Sequence, residues 1–307
     1  MNKKSILIPA MIATLLTAAP SFAAAANGAN NNLSKEQQVT ADKAIDDAVQ
    51  KQNALKETIN KNVLDGFHEV EKALTLLDQK DKSKEAIAAL EAATGKFDIA
   101  LAANSELRLV PIETTASMFE LLTTKDVVEE TVDAAEDLLR DNRVQEARAL
   151  LLPLRDELVS TTRYIPMATY PDTIKLAARA LVDGDKVKAK DILAQGLDSF
   201  IVTDTVIPLS LLRAEAFLGQ AAELDRSKQK TRIVELLDAA EAQVNLAIAL
   251  GYTNKDSTPY DELVSQIKSL RWAVKGPNAV ERLYSELKKS FKDLIHKEAK
   301  PQTSSNH

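Results

Sequence analysis

His68 and Glu71 stand three residues apart, a spacing that on a helix brings both side chains to one face and would supply two ligands of a divalent cation. Metal sites need three or four ligands, and no second histidine or matching acidic pair accompanies these two, so no metal site is assigned. His296 lies among Lys292, Lys297 and Lys300, the setting of a surface residue, and His307 is in the polar tail. The chain has no cysteine, which excludes disulfides, thiol chemistry and thiolate metal sites.

The sequence also lacks a glycine-rich phosphate cradle, a glycine-flanked nucleophilic serine and a serine–lysine pair in a recognisable context. Carboxylates are abundant at Glu129, Glu130, Asp133, Glu136 and Asp137. Their spacing sets them opposite Val128, Val132, Ala135 and Leu139, which is the pattern of a solvated helix face. No catalytic residue and no cofactor is expected, and the chain reads as a non-enzyme.

One short stretch gathers groups suited to binding. Arg163, Tyr164, Met167 and Tyr170 bring cationic, aromatic and soft side chains together around Pro166, in backbone that a proline biases away from helix. Irregular backbone on a helical scaffold is where binding residues concentrate, so these four are the candidate ligand or partner contacts. The competing reading makes them spacers whose apolar side chains fill the core.

The elements that must position them are helical. Aromatics make up 4% of the chain, with 8 Gly and 10 Pro in 307 residues, and alanine and leucine dominate, a composition that favours helix. The spacing predicts an N-terminal helical hairpin over 34–103. It opens on a Ser34–Gln37 capping box, runs as one long helix through Ile45, Val63 and Val70 to Leu77, and returns from Lys82 to Ala103.

Three proline segments then punctuate the chain: Leu109-Val-Pro111-Ile, Tyr164-Ile-Pro166-Met and Val206-Ile-Pro208-Leu. Each is expected to be extended. Between the first two, one helix is capped at Thr124 and turns at Asp141–Asn142. Its partner carries Val144, Ala147, Leu151, Leu154 and Leu158, with a kink or restart near Leu150 imposed by Pro153. Between the last two, a second hairpin turns at Asp183-Gly-Asp-Lys. The prolines stand 55 and 42 residues apart, so the repeat is irregular rather than a fixed-period solenoid. Beyond Pro208 four helices follow, over 211–224, 227–250, 259–274 and 280–295, with Gly251 as a left-handed cap. The expected fold class is all-α: layered helical hairpins joined by extended proline-containing segments, divided as 34–103, 104–225 and a C-terminal extension, 226–300.

The ends indicate compartment. Lys3 and Lys4, the apolar run Ile6–Ala19 and the small-residue boundary Ser21-Phe-Ala23 have the layout of a cleavable secretory signal over 1–23. A disordered leader, 24–33, and a disordered tail, 301–307, are expected at the two ends of the remainder. The apolar run is shorter than the roughly 20 residues a membrane span needs, so a periplasmic protein without a membrane span is expected. The net formal charge is -6, which offers no basic surface for nucleic acid.

The succession Tyr164-Ile-Pro-Met, the helix with Leu176–Leu181, the Asp-Gly-Asp-Lys turn and Asp198-Ser-Phe-Ile-Val-Thr-Asp resembles the YfdX family of bacterial periplasmic proteins. A looser likeness runs from about residue 59 to about residue 224. The resemblance implies an all-helical periplasmic protein linked to stress responses, with no catalytic motif to carry over. Residues after about Arg226 form an addition to the family's usual length. The function expected is non-enzymatic binding of partly unfolded proteins or small amphiphilic compounds. The alternative is a structural scaffold that forms homo-oligomers through its terminal helices.

Overall fold

Segments rich in Val, Ile and Thr prefer a pleated, half-buried surface over a helix, and three such segments organise this fold. The structure, a computed structural model, describes residues 33–54, 60–252, 258–276, 280–298 and 302–303. Strands β1 (Leu109–Phe119), β2 (Glu157–Pro166) and β3 (Ile201–Pro208) pair as an antiparallel meander in chain order. The two-residue β4 (Gln302–Thr303) adds to β3 opposite Asp204 and Thr203. The all-α expectation is thereby corrected. The proline segments are extended as read, but they pair with one another, Pro111 opposite Tyr164 and Pro208 opposite Glu157. A proline removes a ladder donor, and these three sit where that loss is tolerated. Pro166 and Pro208 end their strands, and Pro111 adjoins a shift of register before Glu113.

Helical hairpins hang between the strands. α1 (Lys35–Ala54) comes first, and its start carries the reciprocal bonds read from sequence: Ser34 N donates to Gln37 Oε1 at 2.7 Å and Gln37 N to Ser34 Oγ at 3.3 Å. It does not continue into α2 (Lys61–Leu77). Asn60 holds extended backbone (φ −65°, ψ 111°) and its side chain accepts from Asn62 N and Val63 N, so a new helix is capped there. α1 packs on α8 (Leu209–Glu223), whereas α2 packs on α3 (Ser83–Ala103). Before β2 comes the pair α4 (Lys125–Arg140) and α5 (Val144–Leu151); before β3 comes the pair α6 (Tyr170–Val182) and α7 (Lys186–Asp198). Each of the three hairpins reverses through a left-handed residue, Asp81 (φ 58°), Asn142 (φ 61°) and Gly184 (φ 83°), a conformation Gly, Asn and Asp adopt most readily.

The helix expected through Leu158 stops at Leu151, and Leu158 is buried in β2 instead. Pro153 lies one turn too deep for the helix to absorb, so the chain turns and becomes strand. The C-terminal unit consists of α8, α9 (Lys230–Ala249), α10 (Thr258–Lys275) and α11 (Glu281–Glu298). Gly251 (φ 79°) follows α9 as the left-handed cap. Arg226 donates to Ala273 O at 2.9 Å, to Val274 O at 3.2 Å and to Gly276 O, satisfying carbonyls that α10 leaves open at its end.

Two apolar cores result. One joins α2, α3, α6 and α7 to the sheet through Phe97, Ile165 and Ile174; the other joins α8 to α11, with Ala41 of α1 and with Phe217, Leu237 and Phe291. A small cluster of Ile45, Leu158, Ile207 and Leu209 lies with neither. The expected secretory leader lies outside the described residues, as does the expected tail apart from Gln302 and Thr303, which pair as strand. Among the described residues, no helix is long and apolar enough to cross a membrane.

Candidate functional site

The four residues singled out around Pro166 do not form one surface. Met167 and Tyr170 are buried, Tyr164 is half-buried, and Arg163 alone is exposed, pairing with Glu113 across β1 and β2 at 3.2 Å. Tyr170 is a core ring. Its centroid lies 5.6 Å from that of Phe97 and 5.2 Å from that of Phe200, and it closes on Gly196, where an added Cβ would sit 3.3 Å from the ring. For Met167 and Tyr170 the core-filling role describes the structure.

Tyr170 does border a polar neighbourhood. His68 on α2, Glu113 on β1 and Arg163 on β2 all act electrostatically on Glu71 of α2. Partial burial pushes the Glu71 carboxyl up from its usual range, against the pull of His68, with Glu113 adding to the rise and Arg163 opposing it. Burial, with a smaller contribution from Glu71, also pushes the Tyr170 hydroxyl up, and that hydroxyl has no hydrogen-bond partner. Among the described residues, no group of three His, Asp or Glu is arranged to hold a metal ion.

A second polar group was invisible in the sequence. The carboxylate of Asp156, fully buried just before β2, accepts from Arg213 Nη1 on α8 at 3.0 and 2.8 Å and from Leu121 N at 3.2 Å. Arg213 Nη2 reaches Glu120 at 3.0 Å. Asp156 N donates to the Tyr252 hydroxyl at 2.9 Å, and Leu209 N donates to Asp156 O at 2.8 Å. Burial pushes the Asp156 carboxyl up, with Arg213 and the Leu121 N–H drawing it back. This group ties the exit of β1, the entry to β2, the start of α8 and the end of α9 into one joint. Asp156 and Arg213 are shut off from solvent and only Glu120 reaches it, so the role of the buried pair is positional.

The surface with binding character is the α4–α5 hairpin. Its helix α4 is strongly amphipathic in pattern, yet of the hairpin's side chains only Val128, Ala135 and Ala147 are buried, and none of them joins the three apolar clusters. Val127, Leu139, Val144, Leu151 and Leu152 are left exposed, Val144 at 54% and Leu152 at 59%. Glu129, Glu130, Asp133, Glu136 and Asp137 lie on helix α4 and are all exposed.

Three helical hairpins strung on an antiparallel meander, followed by a helical C-terminal unit, define a mostly helical protein without an evident catalytic centre among its described residues. Residues 67–206 match the model of the family described as YfdX protein. A solved structure of Salmonella Typhi YfdX is similar at 11% identity and a TM-score of 0.34, covering 49% of this chain and 93% of that chain. No curated protein matches. α9, α10 and α11 lie beyond the matched segment.

Proposed function

We propose that the chain is a non-enzymatic, stress-associated binding protein of the periplasm. It holds apolar, basic segments of partly unfolded proteins, or small cationic amphiphiles, on the α4–α5 hairpin. The observation that carries this reading is the exposed row Val127, Leu139, Val144, Leu151 and Leu152 on a hairpin that adds almost nothing to a core. Exposed apolar side chains gathered on one hairpin suit a docking role, and the carboxylates of α4 favour cationic partners. The signal-like residues 1–23 support the compartment.

The test is suppression of aggregation of reduced insulin together with binding of a hydrophobic dye. The native chain should slow aggregation at equimolar ratio and bind dye, and Val144→Ser/Leu152→Ser should do both less well. A native chain that does neither sinks the reading. The second reading, a scaffold that self-associates through its terminal helices, is supported by Trp272 on α10, which is 73% exposed. A monomer by light scattering that remains monomeric on concentration would remove it.

A further inference from the structure

The meander of β1, β2 and β3 has two outer edges, and their residues guard them unequally. At β1, Pro111 and the shift of register before Glu113 interrupt the ladder, two devices that keep an edge strand from pairing with stray chain. β3 has neither. It keeps an unbroken register with β2 from Ile201 to Pro208, with its proline standing last. Ile201, Val202, Thr203, Thr205, Val206 and Ile207 are all β-branched, and Asp204 is the one charge. A segment of that composition on a sheet edge is a template for another strand.

The chain's own end lies on that edge. β4 pairs antiparallel with Asp204 and Thr203, and among the described residues it covers no more of β3. α11 delivers it. Ile295, near the end of that helix, packs on the cluster of Ile207 and Leu209, so the chain leaves α11 beside the last residues of β3, and β4 runs back along the strand. The cover is weak by composition. Pro301 has no N–H to donate, and Thr303 is the single β-branched residue from Pro301 to His307. A strong template is therefore held by a short ladder from a polar tail.

We propose that the outer edge of β3 is a strand-addition site for extended polypeptide, kept closed by the C-terminal tail and opened when an incoming segment displaces it. The register of β4 defines the chemistry of that segment. The position opposite Asp204 is filled by Gln302 in the tail. Asp204 accepts from the Thr161 hydroxyl at 2.6 Å and has no cationic partner among the described residues, so Lys or Arg suits that position better. Two residues to either side, the incoming strand faces Val202 and Val206, which share a face of the sheet with Asp204 and are half-buried. β-branched or aromatic side chains suit those positions. The partner is an extended segment that presents apolar, basic and apolar residues in turn on one face. The site shares no residue with the α4–α5 row, so its failure would leave the binding proposed there standing.

Fluorescence anisotropy with labelled peptides tests this on the full chain. The probe is the peptide Lys300–His307. The receptors are the native chain and the full-length Gln302→Pro/Thr303→Pro variant, which removes the N–H donors that β4 offers. The variant should bind the probe at least about tenfold more tightly than the native chain, whose own tail competes at the roughly millimolar effective concentration of a short linker. A probe carrying Lys300→Val, Gln302→Lys and Ser304→Val should bind the variant more tightly still. The same probe with Gln302→Glu in place of Gln302→Lys should bind about two- to fivefold more weakly than the Lys form, the range a cross-strand charge pair spans. A chain ending at Glu298 is the companion receptor should the variant fail to fold. No binding of any probe to the opened receptor, equal binding by native and opened receptors, or no preference for Lys over Glu opposite Asp204 overturns the proposal.

Discussion

Arg213 grips both carboxylate oxygens of Asp156, at 3.0 and 2.8 Å, although 57 residues separate the two in sequence and neither meets solvent appreciably. Removing Arg213 leaves Asp156 buried without a counter-charge, and removing Asp156 leaves buried Arg213 with Glu120 alone; breaking a buried pair typically costs about 3–5 kcal/mol. Arg213→Leu or Asp156→Leu should each lower the stability measured by urea denaturation by that order. The double replacement should lose clearly less than the two single losses summed, because no orphaned charge remains. Additive losses would show that the pair is not the joint described.

Gly66 and Gly95 make opposite predictions on the two helices of one hairpin. A Cβ at Gly66 of α2 would stand 2.8 Å from the Phe97 ring, whereas one at Gly95 of α3 meets nothing within 4 Å. Gly66→Ala should destabilise by about 1–3 kcal/mol through overpacking. Gly95→Ala should stabilise by up to ~1 kcal/mol through helix propensity. Thermal melts of the two variants check both signs.

Alkaline pH should separate the buried tyrosines from the unfolded reference. Burial pushes the hydroxyls of Tyr170 and Tyr252 well up and that of Tyr284 up to about 12, the last against an opposing pull from Arg226. An unfolded tyrosine ionises near ~10. The folded state therefore favours the neutral hydroxyl. Its contribution is fully present below pH ~10 and is lost as pH rises through the folded values. Tyrosinate absorbance should show fewer than the 5 tyrosines of the chain ionising while the circular dichroism stays native, the rest following only on unfolding. Ionisation of all five in the native state contradicts the burial.

Exposed apolar residues of α4–α5 should be separable from folding. Val144→Ser and Leu152→Ser remove surface that no core uses, so stability should shift by no more than about 0.5 kcal/mol while dye binding falls. A large loss of stability would mean that the hairpin packs more tightly than its exposure indicates.

Proline and β-branched residues made the three extended segments legible, and helical spacing made most helices legible. Pairing was not, because register depends on partners such as Pro111 and Tyr164 that are distant in sequence. Leu158 misled for a specific reason: Ala147, Leu151, Leu154 and Leu158 keep helical spacing straight through Pro153, where the helix has in fact ended, and the buried joint at Asp156 then holds the start of β2. Asp156 and Arg213 themselves are residue types that usually face water, and no local pattern marks them as exceptions. For two of the candidate binding residues the ambiguity ran the other way. Met167 and Tyr170 suit a ligand by type, but a soft and an aromatic side chain suit a core equally well, and burial decided between them. Exposure of Val144 and Leu152 was hidden too, since a helical stripe announces an apolar face without saying whether anything covers it.

The meander gives the uneven proline spacing a simple meaning. Pairing between neighbouring strands is set at their own residues, and the intervening hairpins leave the sheet and return to it, so each hairpin is a pendant whose length the ladder does not measure. α4 and α5 can lose or gain a turn at Asn142, and α6 and α7 at Gly184, without moving one strand along the next. Chains of this plan are free to diversify in length at the hairpin tips while keeping a common spine, and a peptide tag grafted at Asn142 would hang from the molecule rather than split it.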